Sequence, residues 1–222
     1  MYSEYELSDV KLKHPYSMVV AGNRRTGKTR FVKNLLLKGE QMTNPPINHV
    51  IWFYAAEQAD VFQELKEQLG DGIEFVKGLP GTNIIDSYLV ERFGKKLVVI
   101  DDLMSEANER QDVNHLFTRG RHEDTSVLFL VQNFHSKGKF MREISLNADY
   151  VVLFKNPRDE TVVSYLGRQM KKTRFINDAF QQATKDIPFS YLYLDLLSDT
   201  RDELRVRNDV FEKYPRFFVE TV

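Results

Sequence analysis

Eight consecutive residues carry the most legible chemistry: Gly22-Asn23-Arg24-Arg25-Thr26-Gly27-Lys28-Thr29. They fit G-x-x-x-x-G-K-[ST], in which two glycines let the backbone turn tightly and approach a polyphosphate. Loop N–H groups would point at phosphate oxygens, and the positive end of the following helix favours that charge. Lys28 would reach the β- and γ-phosphates, and the Thr29 hydroxyl would bind Mg²⁺. The expected ATP-binding element is therefore the whole loop, from Gly22 through Asn23, Arg24, Arg25, Thr26, Gly27 and Lys28 to Thr29. Arg24 and Arg25 either contact phosphate or lie solvated on its outside, the usual place for charge.

A second stretch, Leu97-Val98-Val99-Ile100-Asp101-Asp102, is an apolar run ending in two carboxylates. In open α/β sheets ligands bind at the carboxyl ends of strands. Asp101 would hold Mg²⁺, mostly through water, and Asp102 would orient or deprotonate the attacking water. The same two residues could serve as an acidic N-cap, but in company with a phosphate loop the metal reading is preferred. A third apolar run, Ser126 to Val131, ends in Gln132. An amide there can donate to a γ-phosphate oxygen and accept from water, or simply satisfy a strand end.

The elements that must position these residues follow from periodicity. Ser17 to Ala21 predicts a buried strand before the loop; Phe31, Leu35 and Leu36 predict a helix after it, stopped by Gly39. His49 to Tyr54 and Ile73 to Val76 predict strands, and Gln58 to Leu69 and Ile84 to Phe93 predict helices. A helix is expected over Glu109 to His122, a strand over Tyr150 to Phe154 and a helix over Glu160 to Met170. Tyr191 to Leu196 predicts a late strand, with Leu204 to Phe211 pairing antiparallel at the sheet edge. The alternation predicts an α/β fold, a mostly parallel sheet with helices on both faces. The strand at His49 or that at Ile73 could lie between the loop strand and the acidic strand.

The 222 residues suit one domain, 1–222: an arm at 1–14, a core at 15–170 and a C-terminal extension of the sheet at 171–222. Without cysteine, disulfides and thiolate chemistry are excluded. No apolar run approaches the roughly 20 residues of a membrane span, so the expectation is no membrane association and no secretion. The formal net charge of −1 leaves any nucleic-acid contact to local basic patches. Lys137, Lys139 and Arg142 form one and Lys171, Lys172 and Arg174 another, either of which could equally be a solvated face.

The stretches GNRRTGKT, LVVIDD, RGRH before SVLFLVQN, and ADYVVLFKNPRD together resemble the DNA-packaging ATPases of the FtsK–HerA superfamily. The likeness is greatest to the poxvirus-type packaging ATPases of large DNA viruses and Polinton-like mobile elements, over roughly residues 16–170. The resemblance implies a RecA-like P-loop NTPase core using Mg²⁺ and ATP. It implies a homo-oligomeric ring, hexamer or pentamer, that threads double-stranded DNA, with portal or capsid proteins as partners. It places the protein inside the host cell, in cytoplasm or nucleus, where virions assemble. It also implies an arginine given to the neighbour's site, for which Arg119 and Arg121 match and Arg158 is a candidate on chemistry alone. A cation at a helix C-terminus is the alternative for each. Many motors of this group have Glu where this chain has Asp102. The competing functions are a P-loop small-molecule kinase or another non-motor nucleotide-binding protein, with the basic runs as its lid, and a related helicase or segregation pump.

Overall fold

Alternation along one strand decides how the sheet is covered. In β2 (Ser17–Ala21), Val19 and Ala21 face one core while Met18 and Val20 face another, as a side-chain period of two requires. The computed structural model describes residues 10–81, 94–107, 110, 113, 116, 120–132, 134, 144, 146–157, 161–185 and 187–220. Two short strands, β1 (Leu12–Lys13) and β3 (Thr43–Asn44), pair apart from the main sheet. The other strands are β4 (His49–Tyr54), β5 (Ile73–Lys77), β6 (Lys96–Asp101), β7 (Thr125–Val131), β8 (Tyr150–Phe154), β9 (Tyr191–Asp195), β10 (Val206–Asn208) and β11 (Arg216–Phe217). The helices are α1 (Lys28–Lys38), α2 (Ala59–Leu69), the single turn α3 (Met104–Ala107), α4 (Thr161–Gln169) and α5 (Thr173–Thr184).

The nine-stranded sheet has the order β11-β10-β9-β8-β2-β7-β6-β4-β5. From β8 to β5 every pairing is parallel, and β9, β10 and β11 add antiparallel partners at one edge. This is the α/β sheet the alternation predicts, including its antiparallel C-terminal edge. Neither β4 nor β5 lies between the loop strand and the acidic strand. The inserted strand is β7, which pairs with both β2 and β6. Sequence order could not show this, because β7 follows β6 in the chain and then returns to its inner side.

One face carries α1 and α2: Phe31, Val32, Leu35, Phe62 and Leu65 pack on Met18, Trp52, Val99 and Leu130. The other carries α4 and α5, with Val163, Leu166, Ile176 and Phe180 against Ile100, Phe129, Val151 and Leu192. Burying each such side chain stabilises by roughly 1.5–3 kcal/mol, which fixes where the strand ends lie. Helix α5 is the main element that sequence periodicity missed; segment 171–222 begins with it before the edge strands. Its signal was present in Ile176, Ala179, Phe180 and Ala183 at helical spacing. The helix expected at Ile84 to Phe93 lies outside the described residues, as does most of that at Glu109 to His122, whose Val113 and Leu116 are buried.

Candidate functional site

The carboxyl ends of β2, β7 and β6 are adjacent, so the phosphate loop, Gln132 and the aspartate pair share one rim of the sheet. The backbone joins them: Gly22 N–H donates to Val131 O at 3.1 Å and Asp102 N–H to Leu130 O at 3.3 Å. Beyond β6, Ala55 N–H donates to Asp101 O at 3.2 Å, drawing in the chain that leaves β4.

Helix α1 begins without a side-chain N-cap hydrogen bond and without an acidic residue in its first turn. Its N-cap is Gly27, at φ 106°, a left-handed conformation that glycine adopts without strain. The first N–H groups of a helix lack intrahelical partners, and leaving them free of side-chain caps suits an anion. Gly22 is constrained differently: a Cβ there would lie 2.7 Å from Phe154 Cβ and 2.8 Å from Thr26 Oγ1. The loop braces itself through Thr26 Oγ1, which donates to Asn23 O at 2.8 Å. Asn23 Nδ2 donates to Asn156 Oδ1 at 2.7 Å, tying the loop to the end of β8.

Lys28 is buried, and its Nζ donates to Gly22 O at 2.7 Å and Asn23 O at 3.0 Å. The ammonium is thus held over the loop it serves. Burial lowers its pKa, opposed by Asp102 and Asp101. Thr29 and Asp101, the two expected metal ligands, share one donor: Gln58 Nε2 lies 2.9 Å from Thr29 Oγ1 and 3.4 Å from Asp101 Oδ2. Sequence reasoning placed Gln58 only at the start of α2. Its position directly after β4, at the same rim, was the available signal.

These donors suit Mg²⁺. They are a hydroxyl and a carboxylate, both hard oxygens, close enough that a single nitrogen touches both. Asp101 is buried, and its pKa is pushed up to about 6 by burial first and by Asp102 second. A cation would relieve both causes. Among the described residues no three His, Cys, Asp or Glu cluster as a self-sufficient metal cage.

Gln132 Nε2 donates to Asp102 Oδ2, so the amide and the carboxylate expected to handle water are in direct contact. Asp102 is exposed and adopts φ 60°. Aspartate tolerates this left-handed conformation better than longer side chains, which gives a local reason for Asp rather than Glu here.

Arg119 and Arg158 lie outside the described residues, and of Arg121 only the backbone, in the turn Gly120–Glu123, is described. The basic patch at Lys137, Lys139 and Arg142 also lies outside them. Lys172 of the second basic run pairs with Asp202 at 3.2 Å and Glu220 at 3.4 Å. It helps line a groove of about 590 Å³ with Ala148 and Leu196. Those residues flank the start of β8 and the end of β9, so the groove is at the opposite end of the strands from the phosphate loop. This part of the basic run is therefore badly placed for a lid over that loop.

No protein-family profile matches the chain, and no curated protein sequence matches it. Solved structures do. The genome packaging NTPase B204 of Sulfolobus turreted icosahedral virus 2, in complex with ATP-γS, superposes with a TM-score of 0.58 at 13% identity, covering 87% of this chain and 95% of that one. Its complex with AMPPCP gives 0.56 at 11% identity, covering 93% and 98%. The cytoplasmic domain of the Thermomonospora curvata type VII secretion ATPase EccC gives 0.56 at 11% identity, covering 91% of this chain and 25% of that one. With the inserted β7, the phosphate loop after β2 and the aspartates after β6, the chain has a RecA-like P-loop NTPase fold, shared with these NTPase structures.

Proposed function

We propose that this chain is an Mg²⁺-dependent ATPase motor that translocates double-stranded DNA and packages a viral or mobile-element genome. The observation that carries the reading is the shared rim. Phosphate loop, Thr29–Gln58–Asp101 and Gln132–Asp102 meet at one set of strand ends. Likeness to a genome packaging NTPase over 95% of that chain supports the motor assignment. Triphosphate would lie against the Gly22–Thr29 loop, its charge met by the first N–H groups of α1 and by Lys28 Nζ released from its carbonyl partners. Mg²⁺, held by Thr29 and Asp101, would neutralise charge on the β- and γ-oxygens. Asp102 would take the proton of the attacking water, while Gln132, hydrogen-bonded to it, would register the γ-phosphate. Because Gln132 follows β7 and Asn156 lies just beyond β8, loss of that phosphate would change contacts on both sides of the loop strand.

Catalysis would be completed by an arginine of a neighbouring copy, Arg119 or Arg121, in a ring around the DNA. Such an arginine is typically worth about 10³–10⁵ in rate. The test measures ATP turnover against protein concentration, with and without duplex DNA, for the wild type, Lys28→Ala and Arg121→Ala. Lys28→Ala should lose about 10²–10³ or more in turnover, as when a preorganised charge-stabilising donor is removed. Mixing the two inactive variants should restore activity at intermediate ratios. Turnover indifferent to both DNA and concentration would sink the motor reading and favour a kinase or other non-motor enzyme.

A further inference from the structure

We propose that Phe189 is the platform on which the nucleobase stacks, an assignment that rests on the loop being a nucleotide site. Phe189 is 56% exposed, an unusual place for a large apolar ring. Its backbone is also costly to hold. Ile187-Pro188-Phe189-Ser190 forms a turn closed on Ile187 O, which accepts from Ser190 N–H at 3.4 Å and from the Ser190 hydroxyl at 2.7 Å. Proline stands second, and Phe189 stands third at φ 62°, where such turns ordinarily require glycine or asparagine. Backbone strain of this kind gathers at ligand clamps and persists when its surroundings enforce it.

The location identifies the ligand. A Cβ at Gly27 would lie 3.2 Å from Phe189 Cβ and 3.3 Å from its Cδ1, so the ring flanks the tightest turn of the phosphate loop. The metal and γ-phosphate residues, Asp101, Asp102 and Gln132, all end strands on one side of β2. Phe189 precedes β9, on the other side, next to β8. A triphosphate running along the loop with its γ end toward β7 must leave its nucleoside on the β8–β9 side. Phe154, the other ring beside Gly27, packs with Phe31 and Tyr191 edge-to-face or tilted, with centroids 5.1–6.4 Å apart. Among the described residues no other ring packs on Phe189, which is exposed. Stacking of this kind tolerates any base, because every base presents a π face.

The experiment is calorimetric titration of the full chain with Mg²⁺-ATP and, separately, Mg²⁺-tripolyphosphate, which lacks base and sugar. Phe189→Ala and Phe189→Gly should weaken ATP by about 5- to 150-fold, the usual range for losing one base–aromatic stack, and leave tripolyphosphate unchanged. Phe189→Trp should keep ATP affinity. Phe189→Gly should melt no lower than wild type, since glycine takes φ 62° freely; a lost stack is then not a lost fold. Equal ATP affinity in wild type and Phe189→Ala overturns the proposal. So does a parallel loss for both ligands, which would make the ring a brace for the loop. A loss that tracks only with failure to self-associate in sedimentation would make it a contact between copies, and equally overturns it. Wild type binding neither ligand would instead remove the nucleotide site itself.

Discussion

Gln132 donates its side-chain amide to Asp102, joining the ends of β7 and β6 by side chain as well as by the strand ladder. The amide fixes the direction of a carboxylate that is otherwise exposed and free to rotate. A residue just after β7 thereby orients a carboxylate just after β6, the one proposed to handle water. Positioning of this kind is what intervening strands supply in sites built from several strand ends.

Replacing either partner should separate binding from turnover. Asp102→Asn removes the proton acceptor but keeps the amide-compatible shape, and Gln132→Ala leaves Asp102 unoriented. Both should bind Mg²⁺-ATP within about threefold of wild type while turnover falls about 10²–10⁴-fold, the range for a positioned acid–base group. Single-turnover hydrolysis beside equilibrium binding checks this, and equal losses in both would contradict it.

In the proposed metal site, Asp101 would link metal binding to stability. Its folded pKa, about 6, lies above the ordinary 3.8. Between those values the folded chain holds a proton that the unfolded chain has released, so this residue makes stability fall as pH rises. The penalty is complete above about pH 6 and is on the order of 3 kcal/mol at about 1.4 kcal/mol per unit. Asp101→Asn should therefore raise the melting temperature of the metal-free protein at pH 7 while abolishing Mg²⁺-dependent hydrolysis. In the wild type, Mg²⁺ affinity should drop as pH falls through about 6. Thermal melts and metal titrations across pH 4.5–8 test both.

Gln58 touches both expected metal ligands without being one of them in the reading above. Gln58→Ala should weaken Mg²⁺ about 10- to 100-fold, the usual effect of losing an outer partner of a metal ligand. Metal-free nucleotide affinity should be unchanged. Titration of Mg²⁺ into the nucleotide-bound protein measures it.

Gly22 is required for space. Gly22→Ala sets a methyl 2.7 Å from Phe154 Cβ, inside the core, where nothing can swing away. A loss of about 1–3 kcal/mol in stability is expected, as for other overpacked sites, together with weakened ATP binding. A Phe154→Gly background, which removes the clashing Cβ, should restore part of the binding by opening room, which a double-mutant cycle would show.

The amino-acid sequence determined what is local. The phosphate loop, the strand ending in Asp101-Asp102, the strand ending at Gln132 and the alternation of strands with helices all follow from residue type, spacing and periodicity within one element. Tertiary structure decided adjacency. That β7 inserts between β2 and β6, that Gln58 reaches Thr29 and Asp101, and that Phe189 returns to Gly27 across 161 intervening positions are all pairings between distant segments. No periodicity encodes them. They arise because two apolar faces of a single sheet must be covered at once, and only the packed core determines which strand ends, and so which polar side chains, then meet.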